Sequence, residues 1–310
     1  MKRQQLKIAY LILAHDQPRH LSRLINALNC EGVAFFVHID KKSNLDRFTS
    51  RINLANVLFV QERERINWGG FSIVKATLRL MRTAYADPRG FDYFMLLSGA
   101  DYPVKTNRNI KEFLISGQKN YISLAPMPVV RENEHKTMER LRKVHIESLF
   151  PVKFKPLVVL HNMLLYSLNI ALTLIHTRKE LLGQKEITPY AGHQWWALKR
   201  DTVHYIFSFL AENMYFVKFF KFCKHSDEMF FHTIVGNSHF KENTEPCLTY
   251  TDWREQDHHP ATITSDHINT ICLQGNFHRD EVYGDGQFLF LRKLTEEDDP
   301  LMDRIDNELR

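Results

Sequence analysis

KIAYLILAHD, from Lys7 to Asp16, decides the fold. Its apolar run is unbroken, rich in β-favouring residues, and closes on two polar groups, His15 and Asp16. A strand with one wet face alternates apolar and polar residues. A continuous run of this length predicts a strand covered on both faces. The same pattern returns at Val33 to Ile39, which ends around His38 and Asp40, and at Tyr93 to Leu97, which runs into Ser98-Gly99-Ala100-Asp101. A shorter version spans Asn56 to Val60. Asp16 and Pro18 mark a helix start between the first two runs, followed by Leu21, Leu24, Ile25 and Leu28 on one stripe. After Gly70, Val74, Leu78, Met81 and Tyr85 recur at helical spacing, so that segment is an amphipathic helix.

Strand, helix, strand with short links predicts an α/β fold: a mostly parallel, Rossmann-like sheet with helices on both faces. Ligands of such sheets bind beyond the carboxyl ends of the strands. His15 and Asp16, His38 to Lys42, and Ser98 to Asp101 are therefore expected to line one crevice.

Past Ala125 the pattern changes. Arg131 to Lys143 is a charged stretch; Gly192 to Leu198 reads as a strand, with Asp201 capping the helix after it. Ser226 reads as the cap of a helix through Phe230, Phe231 and Ile234, and Asp299-Pro300 opens a final helix. With no repeat or low-complexity linker, residues 1–310 are read as one domain, 1–125 forming one half and 126–310 the other. From Leu157 to Ile175 the chain is strongly apolar, interrupted by His161, Asn162, Ser167 and Asn169. A membrane span needs about 20 predominantly apolar residues, which these polar groups make costly. A helix packed on the domain is the preferred reading. The other is a helix lying at a membrane surface, with Lys153, Lys155, Arg178 and Lys179 beside the headgroups.

A net charge of +5 suits a phosphorylated ligand or an anionic membrane surface. Without an RNP-like aromatic pattern or zinc-finger spacing it does not point to nucleic acid. The four cysteines form no CxxC pair and read as reduced thiols. The polar start leads directly into a strand without an apolar leader, so the expected location is cytoplasmic, or peripheral at the inner face of the membrane.

Glu228 is the strongest catalytic candidate. In Ser226-Asp227-Glu228 it falls in the first turn of an expected helix, where the dipole favours an ionised carboxylate suited to act as general base. Acids are enriched in first turns in any case, so position alone does not make it catalytic. Trp195 and Trp196, adjacent in an expected strand, would point to opposite faces, one to the core and one to a sugar ring. Trp68-Gly69-Gly70 before a helix could admit a phosphate or ribose, though paired glycines are mostly turn devices. The sixteen histidines lack HExxH or comparable ligand spacing, and no Asp-x-Asp closes a strand, so no metal is expected. A diphosphate leaving group would then need Arg or Lys, for which Arg254 and Arg279 are candidates.

In order along the chain, AYLILAHDQPRHLSRLINAL (Ala9 to Leu28), FFVHIDKKS (Phe35 to Ser43), INWGGFSIVKATLRLM (Ile66 to Met81), FDYFMLLSGADYPVKTNRNIKEFL (Phe91 to Leu114), GHQWWALKRDTVHYI (Gly192 to Ile206), HSDEMFFHTIVGNSHF (His225 to Phe240), YTDW (Tyr250 to Trp253) and DPLMDRID (Asp299 to Asp306) resemble the core-2/I-branching β-N-acetylglucosaminyltransferase family. That family includes peptide O-xylosyltransferases and many bacterial members. The resemblance implies a GT-A-like glycosyltransferase fold and inverting, metal-independent transfer from UDP-GlcNAc or UDP-xylose to a glycan or lipid-linked glycan, with no cofactor. By motif it implies Glu228 as the base and Asp40 at the nucleotide. His15, Lys41, Trp68 and Asp101 fall on the donor side. Trp195 and Trp196 fall at the acceptor cleft, with Arg140 or Arg142 near acceptor sugar. Residues 1–125 become the nucleotide-sugar half and 126–310 the acceptor and catalytic half. A bacterial surface polysaccharide is the expected product.

The chain departs from the family at one point. An Arg is expected shortly before the YxDW-like strand, and an Arg-Lys or Lys near a later Gly-x-x-Phe-type segment, the two taking the place of a metal. Thr249 stands at the first position, and at the second the sequence reads Gly275-Asn276-Phe277-His278-Arg279. Arg279, with Arg254 or Lys41, is the expected substitute. Thr249 equally suits a rival reading, a non-catalytic carbohydrate-binding protein that kept the fold.

Overall fold

The computed structural model describes residues 5–131, 134–148, 155–175, 187–253, 260–274, 278–279 and 282–310. Its centre is a seven-stranded sheet built from β1 (Ile8–Ala14), β2 (Val33–Ile39), β3 (Val57–Phe59), β4 (Tyr93–Ser98), β6 (Asn120–Ile122), β7 (Trp196–Lys199) and β8 (Thr244–Glu245). The strand order is β8-β6-β7-β4-β1-β2-β3. β1 pairs in parallel with β2 and β4, and β2 with β3, whereas β7 runs antiparallel between β4 and β6. The sheet is thus mostly parallel and takes strands from both sides of Ala125.

The continuous apolar runs have the expected cause. Along β1, Ala9 and Leu11 enter one core with Phe36, Phe94 and Leu96, against Val74, Leu78 and Met81 of α2 (Ser72–Tyr85). Ile8, Tyr10 and Ile12 enter the opposite core with Leu21, Leu24, Ile25 and Leu28 of α1 (Pro18–Leu28) and Ile110 and Leu114 of α3 (Asn107–Gly117). A strand sandwiched this way has no wet face to mark with polar residues. Each buried Leu or Ile contributes about 1.5–3 kcal/mol.

A smaller sheet joins β5 (Asp101–Pro103), β9 (Thr249–Thr251) and β10 (Phe290–Arg292) in the order β9-β10-β5. Its antiparallel register sets Arg292 opposite Asp101. The C-terminal helix Asp299–Glu308 returns to α1, where Arg19 meets Asp299 at 2.6 Å and Arg23 meets Asp303 at 2.6 Å and Asp306 at 3.0 Å.

Several local expectations are corrected. Strand begins only at Trp196 within the expected 192–198 segment and runs on to Lys199. The charged 131–143 stretch contains a hairpin, Val129–Arg131 against Glu134–Lys136, and the helical turn α4 (Glu139–Arg142). Ser226 does not cap a helix: Ser226–Glu228 is a separate 3₁₀ turn, followed by α8 (Phe230–Gly236), after α6 (Arg200–Glu212) and α7 (Met214–Phe220). The backbone enters that turn through His225 at φ 54, and Met229, at φ −135 and ψ −31, separates the turn from the helix after it and breaks helical continuity.

Residues Lys155–Ile175 do form a helix, α5, but most of its apolar side is exposed and not packed on the domain. The packed-helix reading holds only for one stripe, His161, Leu165, Asn169 and Thr173, whereas Asn162 and Ser167 are exposed with the apolar residues. Asn169 Oδ1 accepts the Ile146 amide at 2.8 Å, and Thr173 Oγ1 accepts the Val144 amide at 2.9 Å. Among the described residues, no helix is long and apolar enough to cross a membrane.

Candidate active site

The carboxyl ends of β1, β2 and β4 carry the polar groups that the strand pattern placed there. Asp40 is buried; its Oδ1 accepts the Lys42 amide at 2.8 Å and the Ile66 amide at 3.4 Å, and its Oδ2 lies 3.4 Å from the Lys42 ammonium. Asp40 therefore ties the end of β2 to the loop that carries Trp68. His38 Nε2 accepts the Glu64 amide at 2.8 Å, and burial pushes this imidazole down to about 4, so it is neutral at pH 7. His15 and Lys41 are exposed at the rim.

Asp101 is fully buried. Its Oδ2 accepts the Ser98 amide at 2.9 Å and its Oδ1 lies 3.2 Å from Arg292 Nη1. Burial pushes the carboxyl up to about 6, against the pull of Arg292 and the Ser98 amide. With both oxygens engaged, Asp101 serves to hold Arg292 in place. The Arg292 guanidinium also lies over the Trp195 ring, 4.6 Å from its centroid. The two tryptophans have different neighbours, Trp195 meeting Arg292 and Trp196 meeting Phe231 with ring centroids 5.5 Å apart, but both are buried in one core cluster, so the expected split between core and sugar face is not seen.

Glu228 sits in the 3₁₀ turn with its side chain 24% exposed, enough to meet a substrate. Arg140 Nη1 donates to its Oε2 at 2.6 Å, and the ammonium of buried Lys136 lies 3.7 Å from the same oxygen. Among the described residues, Oε1 takes no hydrogen bond. Burial works against the charge, but Lys136, Arg140 and His225 outweigh it and hold the carboxyl well below the usual range. Its neighbour Asp227 goes the other way, raised by burial and by the charge on Glu228. The ionised state of Glu228 is thus set by two cations, where the sequence suggested a helix dipole.

The turn is anchored by close backbone packing. The His225 amide donates to Gly69 O at 2.7 Å, and the Gly192 amide donates to Glu228 O at 3.0 Å. Gly192 O in turn accepts from Lys136 Nζ at 2.7 Å, and Lys136 also donates to Tyr283 Oη at 2.9 Å. A Cβ on Gly192 would stand 1.8 Å from Ser123 O, so only glycine fits. Trp68, 60% exposed, meets the His225 ring edge-on at 4.8 Å. Its loop therefore runs from Asp40 to the Glu228 turn.

Of the two arginines expected near the acceptor, Arg140 is brought to Glu228, whereas Arg142 is exposed on the same short helix. Arg254 lies outside the described residues, as does the Arg279 side chain; only the backbone of Arg279 is described, in the strand His278–Arg279. Thr249 is buried on β9, and the strand paired with it, β10, supplies Arg292. Sequence reasoning missed Arg292 and Lys136. The first had a signal: Arg292-Lys293 closes the apolar run Phe288 to Leu291 just as His15 and Asp40 close theirs. Nothing local distinguishes Lys136 from a surface lysine. Among the described residues, no group of three or more His, Cys, Asp and Glu could hold a metal ion.

The sequence model described as Core-2/I-Branching enzyme matches residues 8–275. The chain is 26% identical over 266 residues to xylosyltransferase 2 of Rattus norvegicus and 24% identical over 259 residues to xylosyltransferase 1 of Homo sapiens. Each match covers 81% of this chain but only 27% and 24% of the relative, so the chain spans about a quarter of the length of these proteins. The apo crystal structure of mouse xyloside xylosyltransferase 1 aligns over 92% of this chain and 97% of that one, with 11% identity and a TM-score of 0.38.

Proposed function

This chain belongs to the core-2/I-branching enzyme family, and from that premise we propose that it is an inverting, metal-independent glycosyltransferase. It moves GlcNAc or xylose from a UDP-sugar to a hydroxyl of a glycan or lipid-linked glycan. The observation that carries the reading is Glu228: an ionised, partly exposed carboxylate with one oxygen free of hydrogen bonds among the described residues, on the turn joined to the Trp195 segment through Gly192.

The chemistry is a direct displacement. The acceptor oxygen attacks the anomeric carbon, the bond from that carbon to the diphosphate breaks, and Glu228 takes the hydroxyl proton. Cations that hold Glu228 ionised also lower its basicity. The proton therefore moves late, as the attacking oxygen bonds and becomes acidic. Arg292, buttressed by Asp101 and stacked on Trp195, faces the developing charge on the leaving UDP, with Lys293 next to it in the chain. Arg292, on the strand paired with that of Thr249, in this reading takes the part of the missing arginine.

In this reading the donor binds the half before Ala125 and the acceptor meets the half after it, with Arg140 and Arg142 at the acceptor. The relatives' names favour xylose and the family's description favours a branching sugar, in a cytoplasmic pathway to a bacterial surface polysaccharide. The test is a panel of UDP-sugars assayed for UDP release with and without chelator. Release from UDP-xylose or UDP-GlcNAc that chelator leaves intact is expected. Release that requires Mn²⁺, or no release and no calorimetric binding of UDP, would overturn it.

A further inference from the structure

Helix α5 is amphipathic in reverse. Val159, Leu160, Met163, Leu164, Tyr166 and Ile170 lie on its outward side, each between 44% and 70% exposed. Its inward side carries buried His161 and Leu165, with Asn169 and Thr173 spending their oxygens on the amides of Ile146 and Val144. An outward apolar face of this extent marks an interaction surface.

We propose that this face docks on a lipid bilayer bearing anionic headgroups, with the helix lying in the interfacial plane. Charge selects the occupant. No Asp or Glu occurs between Ser148 and Lys179, whereas that stretch holds Lys153, Lys155, Arg178 and Lys179. Among the described residues beside it, Arg142 and Lys143 are exposed, Lys143 pairing with exposed Glu139 at 2.6 Å. The neighbouring loop, where Phe222 O accepts the His145 amide at 2.8 Å, exposes Lys221 and the Phe222 ring. A second copy of the chain would bring like charge against like, since each carries +5. An anionic lipid surface is attracted by the cations and accepts the apolar side chains. The docking is independent of the role given to Glu228.

The test is sedimentation with vesicles of phosphatidylcholine alone and of phosphatidylcholine mixed with phosphatidylglycerol. The full-length protein should partition onto the mixed vesicles and be released as salt is raised. The variant Leu160→Gln/Met163→Gln/Leu164→Gln changes only exposed side chains and should keep its circular dichroism while binding about tenfold less. No partition onto mixed vesicles, equal partition onto neutral ones, or undiminished binding by the triple variant would each overturn the proposal. So would a dimer in sedimentation velocity that the triple variant dissolves, which would assign the face to a second copy.

Discussion

The Asp101 corner and the Glu228 turn are built from the same pair of ions, with opposite results. At the corner a fully buried carboxylate has, among the described residues, one paired cation, Arg292, beside the Ser98 amide; burial dominates and the acid is raised to about 6. At the turn a carboxylate that keeps contact with solvent meets Arg140 and Lys136 together; the cations dominate and the acid is lowered. The first arrangement suits holding an arginine in place and the second suits chemistry. What separates them is the number of cations set against the cost of burial.

The largest test of that contrast is Glu228→Gln. Transfer should fall about 10²–10⁴-fold while UDP binding by calorimetry persists, since only the base is removed. Unchanged turnover would take Glu228 out of the mechanism. Next comes Arg292→Ala, expected to lower turnover about 10²–10³-fold and weaken UDP binding. Because it also strands a buried carboxylate, Arg292→Ala should unfold at lower urea than wild type. Adding Asp101→Asn should restore stability without restoring activity. Recovery of both would reduce Arg292 to a structural part.

A third test strikes the link between the regions. Gly192→Ala forces a methyl onto Ser123 O and should cost about 1–3 kcal/mol in urea unfolding, with loss of transfer as the Glu228 turn shifts. The smallest effect is one of pH. Arg140→Gln removes a charge that holds Glu228 ionised, so the acidic limb of the rate profile should move to higher pH. The sign follows from linkage: a lowered folded value gives stability that is present above the unfolded carboxyl range and lost as pH falls toward the folded one. Removing Arg140 narrows that window. A profile that does not move would show that Lys136 alone sets the charge.

The two regions were unequally legible in sequence. The Asp40 and Asp101 positions follow from reading where apolar runs stop, because a strand buried on both faces has to shed its polar groups at its ends. Glu228 could be named from a short motif, yet its environment could not. Lys136 and Arg140 reach it from one segment and Gly192 from another, Tyr283 holds Lys136, and the 3₁₀ turn replaced the expected helix start. Helix α5 was legible as a helix seated on the domain, but not in which side it turns inward, because apolar composition does not say which side faces the protein.

By itself, the chain's order of residues determined the sheet, its helices and the end of the sheet where ligands gather, since those depend on periodicity and on which residues can lie between two cores. Only the tertiary structure decided the charge state of Glu228, the pairing of Arg292 with Asp101 and the outward turn of the α5 apolar face. Each of these depends on distances between segments remote in sequence, and electrostatics and burial are properties of such distances, not of neighbours along the chain.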